Sequence, residues 1–300
     1  MLDFLTVGHI TLDRIVRPEK RTIWVLGGPA VHTSLTVSSL GCKPYVLSKV
    51  GPDFGKNRRG WLRRMGVGTK LLKAVPAPTT RFEIRYRRQS RRLRLMSRCE
   101  DIRLCDLSAD VRIRSLHIGP VIGEVPEAVA SFLANRSDVT SLDPQGYLRR
   151  VASDGRVLNK PWLGRTLLGS VEVLKGSYDE LRMMLGAVCL RSMLKKLRRL
   201  GPSVCILTRG GKGSILLCDE GIFRVPAFKP QIIVDPTGAG DAFCGAFLRC
   251  YALSEDPVWS ACVGSAAASI KVETSGPCFI RDRSLLMERA NAVLSNLQAL

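Results

Sequence analysis

Two hydrophobic repeats alternate along this chain. A compact apolar run at 4–10 predicts a buried strand, and the alternation that follows makes 45–50, 113–118, 138–143, 171–174, 203–208 and 214–218 strand candidates. Helical spacing predicts helices at 29–40, 53–65, 124–135, 179–186, 188–200, 241–253 and 257–270. In 188–200, for example, Leu190, Met193, Leu194, Leu197 and Leu200 share one side while Arg191, Lys195, Arg198 and Arg199 share the other. That stripe is core-facing, with its basic side in water. Strand followed by helix, repeated without a linker or tandem repeat, predicts one doubly wound α/β domain over 1–300.

Residues 80–98 break the rhythm. Phe82, Ile84 and Tyr86 alternate with Arg81, Glu83, Arg85 and Arg87, and after Gln89-Ser90 the pair Leu93 and Leu95 alternates with Arg92 and Arg94. Period two on both sides of a short connection predicts a hairpin with one apolar and one basic face. A small sheet laid over the main domain as a lid fits better than another βαβ unit, with lid elements at about 11–25 and 77–100.

Composition narrows the class. The 300 residues carry 46 basic and 26 acidic side chains, a net charge of +20. The aromatic residues among the arginines at 58–64 and 81–98 are few, and Phe82 and Tyr86 have the spacing of a hairpin's packed face rather than of a base-stacking module, so nucleic acid is not expected as the main partner. Eight arginines between 81 and 98 are far more than one phosphate needs, and most of that charge is expected at the surface. Arginine dominance and the proline content are compatible with a thermophilic source. Ten scattered cysteines are too dilute for a disulfide scaffold, and three histidines make a histidine-built metal centre an unpromising reading. With neither a signal-like start nor an apolar run of about 18 residues, a cytoplasmic chain without membrane association is expected.

The strongest chemical signal is Val234-Asp235-Pro236-Thr237-Gly238-Ala239-Gly240-Asp241-Ala242-Phe243. An apolar strand at 232–234 is expected to run into a small-residue turn, with a helix starting near Asp241. Free N–H groups at such a helix start cradle an anion, and glycines at 238 and 240 admit it without a Cβ clash. Phosphate repels a carboxylate, so Asp241 is better explained as a base for a hydroxyl attacking that phosphate than as a binding group. The plainer alternative is a glycine turn with an ordinary capping aspartate. A second glycine-rich turn, Thr208-Arg209-Gly210-Gly211-Lys212-Gly213, is a candidate for nucleotide phosphate or ribose. There is no Walker A loop and no G-x-G-x-x-G after the first strand.

These segments resemble the ribokinase-like (PfkB) carbohydrate and nucleoside kinases. Asp235 to Phe243 resembles the family's C-terminal D-T-x-G-A-G-D signature, and Gly27-Gly28-Pro29-Ala30-Val31-His32 resembles its N-terminal G-G-x-x-x-N motif. The likeness runs from the first strand to the helix at 257–270. It implies a three-layer α/β/α sandwich with a β lid, ATP as donor, Mg²⁺, and room for a monovalent cation. By the same likeness Asp241 is the catalytic base, with Gly238, Ala239 and Gly240 forming the anion hole. Asp13, Gly28 and His32 face the acceptor; Thr208, Gly210 and Gly213 hold the nucleotide; Ala261, Ser265 and Ala268 border adenine; and Glu180 organises magnesium and its waters. Two positions depart from the pattern: His32 stands where asparagine is usual, and Ser177 where N-x-x-E would place asparagine.

Asp143-Pro144-Gln145-Gly146-Tyr147-Leu148-Arg149 resembles a D-x-Q-G-x-x-R segment of archaeal members that phosphorylate myo-inositol. A polyol needs several acceptors and donors, and Asp13, Asp143 and Gln145 supply both kinds, with Arg149 beside them. A small polyol or sugar, myo-inositol foremost, is therefore the expected substrate; a nucleoside or sugar-phosphate acceptor is the alternative. The lid's apolar face must be covered, and a homodimer through the lid is one way to cover it.

Overall fold

A computed structural model of the chain describes residues 1–17, 21–87, 90–107, 110–186, 189–254 and 256–300. Arg88 and Gln89 of the hairpin and Val188 of the helix expected at 188–200 lie outside the described residues.

In chain order the elements are β1 (Leu2–Val7), β2 (Thr11–Val16), β3 (Ile23–Gly27), α1 (Pro29–Ser39), β4 (Pro44–Val50), α2 (Gly55–Arg64), β5 (Leu72–Ala74), β6 (Thr80–Arg87) and β7 (Ser90–Ser97). Then come β8 (Ile113–Ile118), α3 (Glu127–Ala134), β9 (Ser137–Leu142), β10 (Arg149–Val151), β11 (Val157–Asn159), α4 (Arg165–Leu168), β12 (Val173–Ser177), α5 (Tyr178–Leu185) and α6 (Leu190–Leu197). The chain closes with β13 (Val204–Thr208), β14 (Ser214–Cys218), β15 (Gly221–Val225), α7 (Ala239–Ser254), α8 (Pro257–Val272), α9 (Arg283–Leu294) and β16 (Gln298–Ala299).

Ten strands form the main sheet in the order β16-β15-β14-β13-β12-β9-β8-β1-β4-β5. It is parallel from β5 to β13 and antiparallel beyond. Strand periodicity splits its side chains between two cores. Leu5, Leu174, Cys205, Leu207, Ile215 and Leu217 pack under α3, α5 and α6. Phe4, Val173, Val204, Ile206, Leu216 and Cys218 pack under α7 and α8 on the other face. A sheet buried on both faces between helices is the three-layer sandwich that the resemblance implies.

The lid is a second sheet, β3-β2-β6-β7. Its apolar side chains Phe82 and Ile84 are buried against Val121 and Ile122 of the same chain, with Leu93 and Leu95 packed alongside. Phe82 and Ile84 of the face that motivated a lid-mediated dimer are thus covered within one chain, while Leu93 and Leu95 are half-buried. Asp13 lies in strand β2 of this sheet.

Other differences from expectation have plain causes. No strand forms at 232–234: Ile232 and Ile233 are exposed, and the N–H groups of Val234 and Asp235 both donate to the carbonyl of Val272 at the end of α8. Helix α9 has no sequence signal because its apolar positions are spread around the helix rather than gathered in one stripe; it packs Leu286, Ala290 and Val293 against α7 and α8. Among the described residues no helix is long and apolar enough to cross a membrane.

Candidate active site

At the carboxyl ends of the parallel strands, where a doubly wound sheet places its ligands, two cavities meet. The first, about 220 Å³, lies beneath the lid and carries Asp13, Gln145, Arg149, Lys175, Glu180 and Asp241 on its walls. The second, about 300 Å³, is bounded by the turn at 208–214, by Ala227, Phe228 and Ile233, and by one side of α8. Thr208, Pro236 and Gly240 line both. The glycine-rich turn therefore stands on the boundary between a polar chamber and a largely apolar one.

Helix α7 begins at Ala239, so Asp241 sits in its first turn and the 238–241 amides crowd its N-terminal end. Gly238 has φ +81°, and a Cβ there would stand 2.5 Å from the His32 ring. Only glycine combines that backbone with that close approach. His32 is buried in α1 and is pushed down to about 3, by burial first and then by the charge of Lys271. Its neutral imidazole underpins the turn as well as lining the lid-side cavity. Thr33 adds a further tie, its hydroxyl donating to the Asp241 carbonyl at 3.2 Å.

Gly28, at φ +85°, opens α1, and a Cβ there would strike the His9 carbonyl. Asp143 caps the short helix 144–146 by accepting from the Gln145 N–H at 3.1 Å. Its other oxygen accepts from Lys175 Nζ at 2.6 Å. Arg149 donates to Gln145 Oε1 at 2.6 Å and to the Val121 carbonyl at 3.0 Å, fixing the amide that faces the cavity. Glu180 closes a capping box: its Oε2 accepts from the N–H and hydroxyl of Ser177 at 3.0 and 2.7 Å. Ser177, where asparagine was expected, is thus the helix cap that anchors Glu180 on the cavity wall.

Thr208, Gly210, Gly213, Ser265 and Ala268 all line the second cavity. Ala261 does not; it is fully buried in the core with Phe243 and Phe247, one turn of α8 too deep to reach a ligand.

Lys175 escaped the sequence reading. It is buried in the middle of β12, and its Nζ lies within 2.9 Å of where a Cβ on Gly240 would be. Burial opposes its charge, but the carboxylates of Asp143 and Asp241 more than offset this and hold its pKa above the usual lysine range. A lysine inside the apolar run Val173-Leu174-Lys175-Gly176 was the available signal, since a buried charge needs partners.

Asp13 is buried, its Oδ1 has no hydrogen-bond partner among the described residues, and burial pushes its carboxyl up to about 7. An unpartnered acceptor in a polar chamber is suited to a substrate hydroxyl. Acceptor KM is expected to fall as pH rises through about 7 and this carboxyl ionises, a trend that Asp13→Asn flattens. The stability effect has the opposite sign. Between the ordinary carboxylate pKa of 3.8 and about 7 the unfolded chain is ionised there while the folded chain keeps its proton. Stability is lost across that window, reaching about 4 kcal/mol above it. Asp13→Asn should therefore melt higher than wild type at pH 8 and equally at pH 4; thermal melts at the two pH values check this.

A three-layer α/β/α sandwich with a β lid, an acid beside a glycine-rich helix start and a two-chambered cleft define the class of the ribokinase-like kinases, which are phosphotransferases. Residues 145–282 match the family model described as pfkB family carbohydrate kinase. A cytidine kinase from Thermococcus kodakarensis is 26% identical over 84% of this chain and 89% of its own length. An inositol 3-kinase from Oryza sativa subsp. japonica is 28% identical over 95% of this chain and 73% of its own length. Among solved structures, a pyrophosphate-dependent kinase in the ribokinase family, complexed with a pyrophosphate analog and myo-inositol, superposes with a TM-score of 0.81 at 24% identity. That match covers 95% of this chain and 99% of the other. The chain has the ribokinase-like fold, and its segment 145–282 is similar to the pfkB carbohydrate kinases.

Proposed function

We propose that this kinase transfers the γ-phosphoryl group of ATP to a hydroxyl of a small polyol, with myo-inositol as its preferred acceptor. The observation that carries the reading is the meeting of the two cavities across the 236–240 turn. A donor in the apolar chamber would present its terminal phosphate to the turn, with the acceptor on the far side facing Asp241. Ile233 supports a nucleotide donor: it is 73% exposed on the rim of that chamber, and a planar base laid over it would remove apolar surface from water.

In this mechanism Asp241 takes the proton of the attacking hydroxyl, and the 238–241 amides stabilise charge on the transferring group. Lys175 adds a fixed positive charge beside the turn, held there by Asp143. Asp13, Gln145 and Arg149 orient the acceptor ring. The cavity wall carries the carboxylates of Asp13, Asp143, Glu180 and Asp241, but among the described residues no group of three side chains is placed to hold a metal ion by itself. That fits a magnesium ion carried by the nucleotide phosphates and touched by Glu180 through water. Bound so, it would neutralise phosphate charge.

The myo-inositol assignment is supported by the convergence of Asp13, Gln145 and Arg149 in the acceptor chamber, by the inositol 3-kinase relative, and by the myo-inositol bound to the pyrophosphate-dependent kinase. A nucleoside acceptor is the second reading. Phe82, Ile84 and Leu93 give the chamber an apolar roof on which a base could lie, and the Thermococcus relative is a cytidine kinase. An acceptor panel of myo-inositol, ribose, fructose 6-phosphate, cytidine and adenosine, each with ATP and with pyrophosphate, separates them. The highest kcat/KM is expected for myo-inositol with ATP. A higher value for any nucleoside or sugar retires the acceptor assignment, and faster turnover with pyrophosphate retires the donor.

A further inference from the structure

Lys271 is one of the largest fully buried side chains in the molecule, at 1% exposure, and nothing in the mechanism above uses it. It lies in the last turn of α8. Its ammonium donates to two backbone carbonyls, that of Asp235 at 3.0 Å and that of Thr274 at 3.2 Å. Asp235 is the first residue of the glycine-rich turn. Lys271 thus pins the start of that turn to the C-terminal end of α8.

The rest of the local network points the same way. The Val272 carbonyl accepts from the N–H groups of Val234 and Asp235 at 2.8 and 3.1 Å, so the strand of chain entering the turn is strapped twice to the helix end. The Asp235 carboxylate, itself fully buried, accepts from the Thr237 N–H at 3.1 Å and the Gly276 N–H at 3.4 Å. From the lid, the Tyr86 hydroxyl reaches it at 3.3 Å and Arg17 at 3.4 Å. Packing alone does not call for an ammonium here, since methionine would fill a similar volume without the cost of burying a charge. A cation at a helix C-terminus, bonded to carbonyls of two separate loops, opposes the negative end of the helix and holds the loops together. The same charge is felt at His32 beneath Gly238 and interacts with Asp241.

We propose that Lys271 is a positioning residue for phosphoryl transfer: a built-in cation that clips the Asp235 carbonyl to the end of α8 and so holds the 235–240 turn with its amides aimed at the transferred group. The inference rests on the reading of that turn as the anion hole. Its test therefore pairs turnover with a measurement that needs none.

Hydrogen exchange over 232–243, thermal melting and steady-state kinetics are compared for wild type, Lys271→Met and Lys271→Ala, in sodium and in ammonium chloride at equal ionic strength. In Lys271→Met, exchange at the Val234, Asp235 and Thr237 amides is expected to rise about tenfold. The kcat should fall at least tenfold while acceptor KM changes less than threefold. In Lys271→Ala, ammonium but not sodium restores both protection and kcat at least fivefold, because the truncated side chain leaves room for the ion; in Lys271→Met it restores neither. Unchanged exchange and kcat in Lys271→Met overturns the proposal, as does a loss in Lys271→Ala that ammonium leaves untouched. Should neither variant be recovered folded, Lys271→Gln, which keeps a neutral donor, carries the test. A tenfold loss of kcat at an unaltered melting temperature supports the need for charge, and full activity overturns it. If wild type phosphorylates no acceptor, the functional reading fails, while the exchange comparison still decides whether Lys271 orders the turn.

Discussion

Asp241→Asn is expected to lose turnover by about 10²–10⁴-fold while melting with wild type and binding donor with wild-type affinity. The substitution keeps the shape of the first turn of α7 and removes only the ability to accept a proton. Its main-chain tie to Thr33, the hydrogen bond to the Asp241 carbonyl, is untouched. Rapid-quench measurement of a single turnover, at saturating donor and acceptor, isolates the transfer step. A variant that transfers within threefold of wild type would remove Asp241 from the role of base. A variant that is inactive because it has unfolded would show itself in the melt.

Lys175→Met is the second large effect, and it is expected to act on two quantities at once. Removing a fixed positive charge beside the anion turn should lower kcat by about 10²–10³-fold, as when other preorganised partners of a developing charge are removed. It also strands the buried Asp143 carboxylate, whose Oδ2 is 2.6 Å from Nζ, at a cost of about 3–5 kcal/mol in stability. The double variant Lys175→Met/Asp143→Leu separates these effects. Replacing the whole ion pair with apolar groups should recover most of the lost stability in chemical denaturation, yet none of the lost turnover. If activity returned along with stability, the lysine would be a structural residue only.

Both predictions concern the same turn, but they were not equally visible before the structure. Asp241 and its glycines form one local segment, and a local segment carries its own conformational rules: φ values open to glycine, free amides at a helix start, a carboxylate in the first turn. Lys175 is 66 residues away in sequence, since 241 − 175 = 66. A lone lysine in an apolar run signals that a partner must exist, without saying which. The parallel pairing of β12 with β9 brings Asp143 to it, and the placing of α7 behind the strand ends brings the turn.

The secondary structure divides along the same line. Strands 113–118 and 214–218 are found at the residues where they were expected. The first carries Arg114, Ser115 and His117 and is marked by its place in the strand-helix alternation; the second is buried along its whole length and reads as an apolar run. The run 232–234 is equally apolar and forms no strand; its residues lie exposed beside the donor chamber. Ile233 lines the second cavity, and a single sequence does not distinguish an exposed apolar run of this kind from core. Ala261 errs in the opposite direction, a small residue expected against a ligand and found packed among aromatic rings.

The sequence by itself determined the alternation of strand and helix, the hairpin period of the lid, and the chemistry of the turn ending at Asp241, because each rests on contacts within a few residues or on a repeat that one element carries. Tertiary structure decided the rest: which strands are neighbours, that Phe82 and Ile84 of the lid pack on Val121 and Ile122, and that Lys175 and Lys271 flank the turn. Those outcomes depend on long-range pairings, in which a buried charge or an open face is matched only once the whole sheet is assembled.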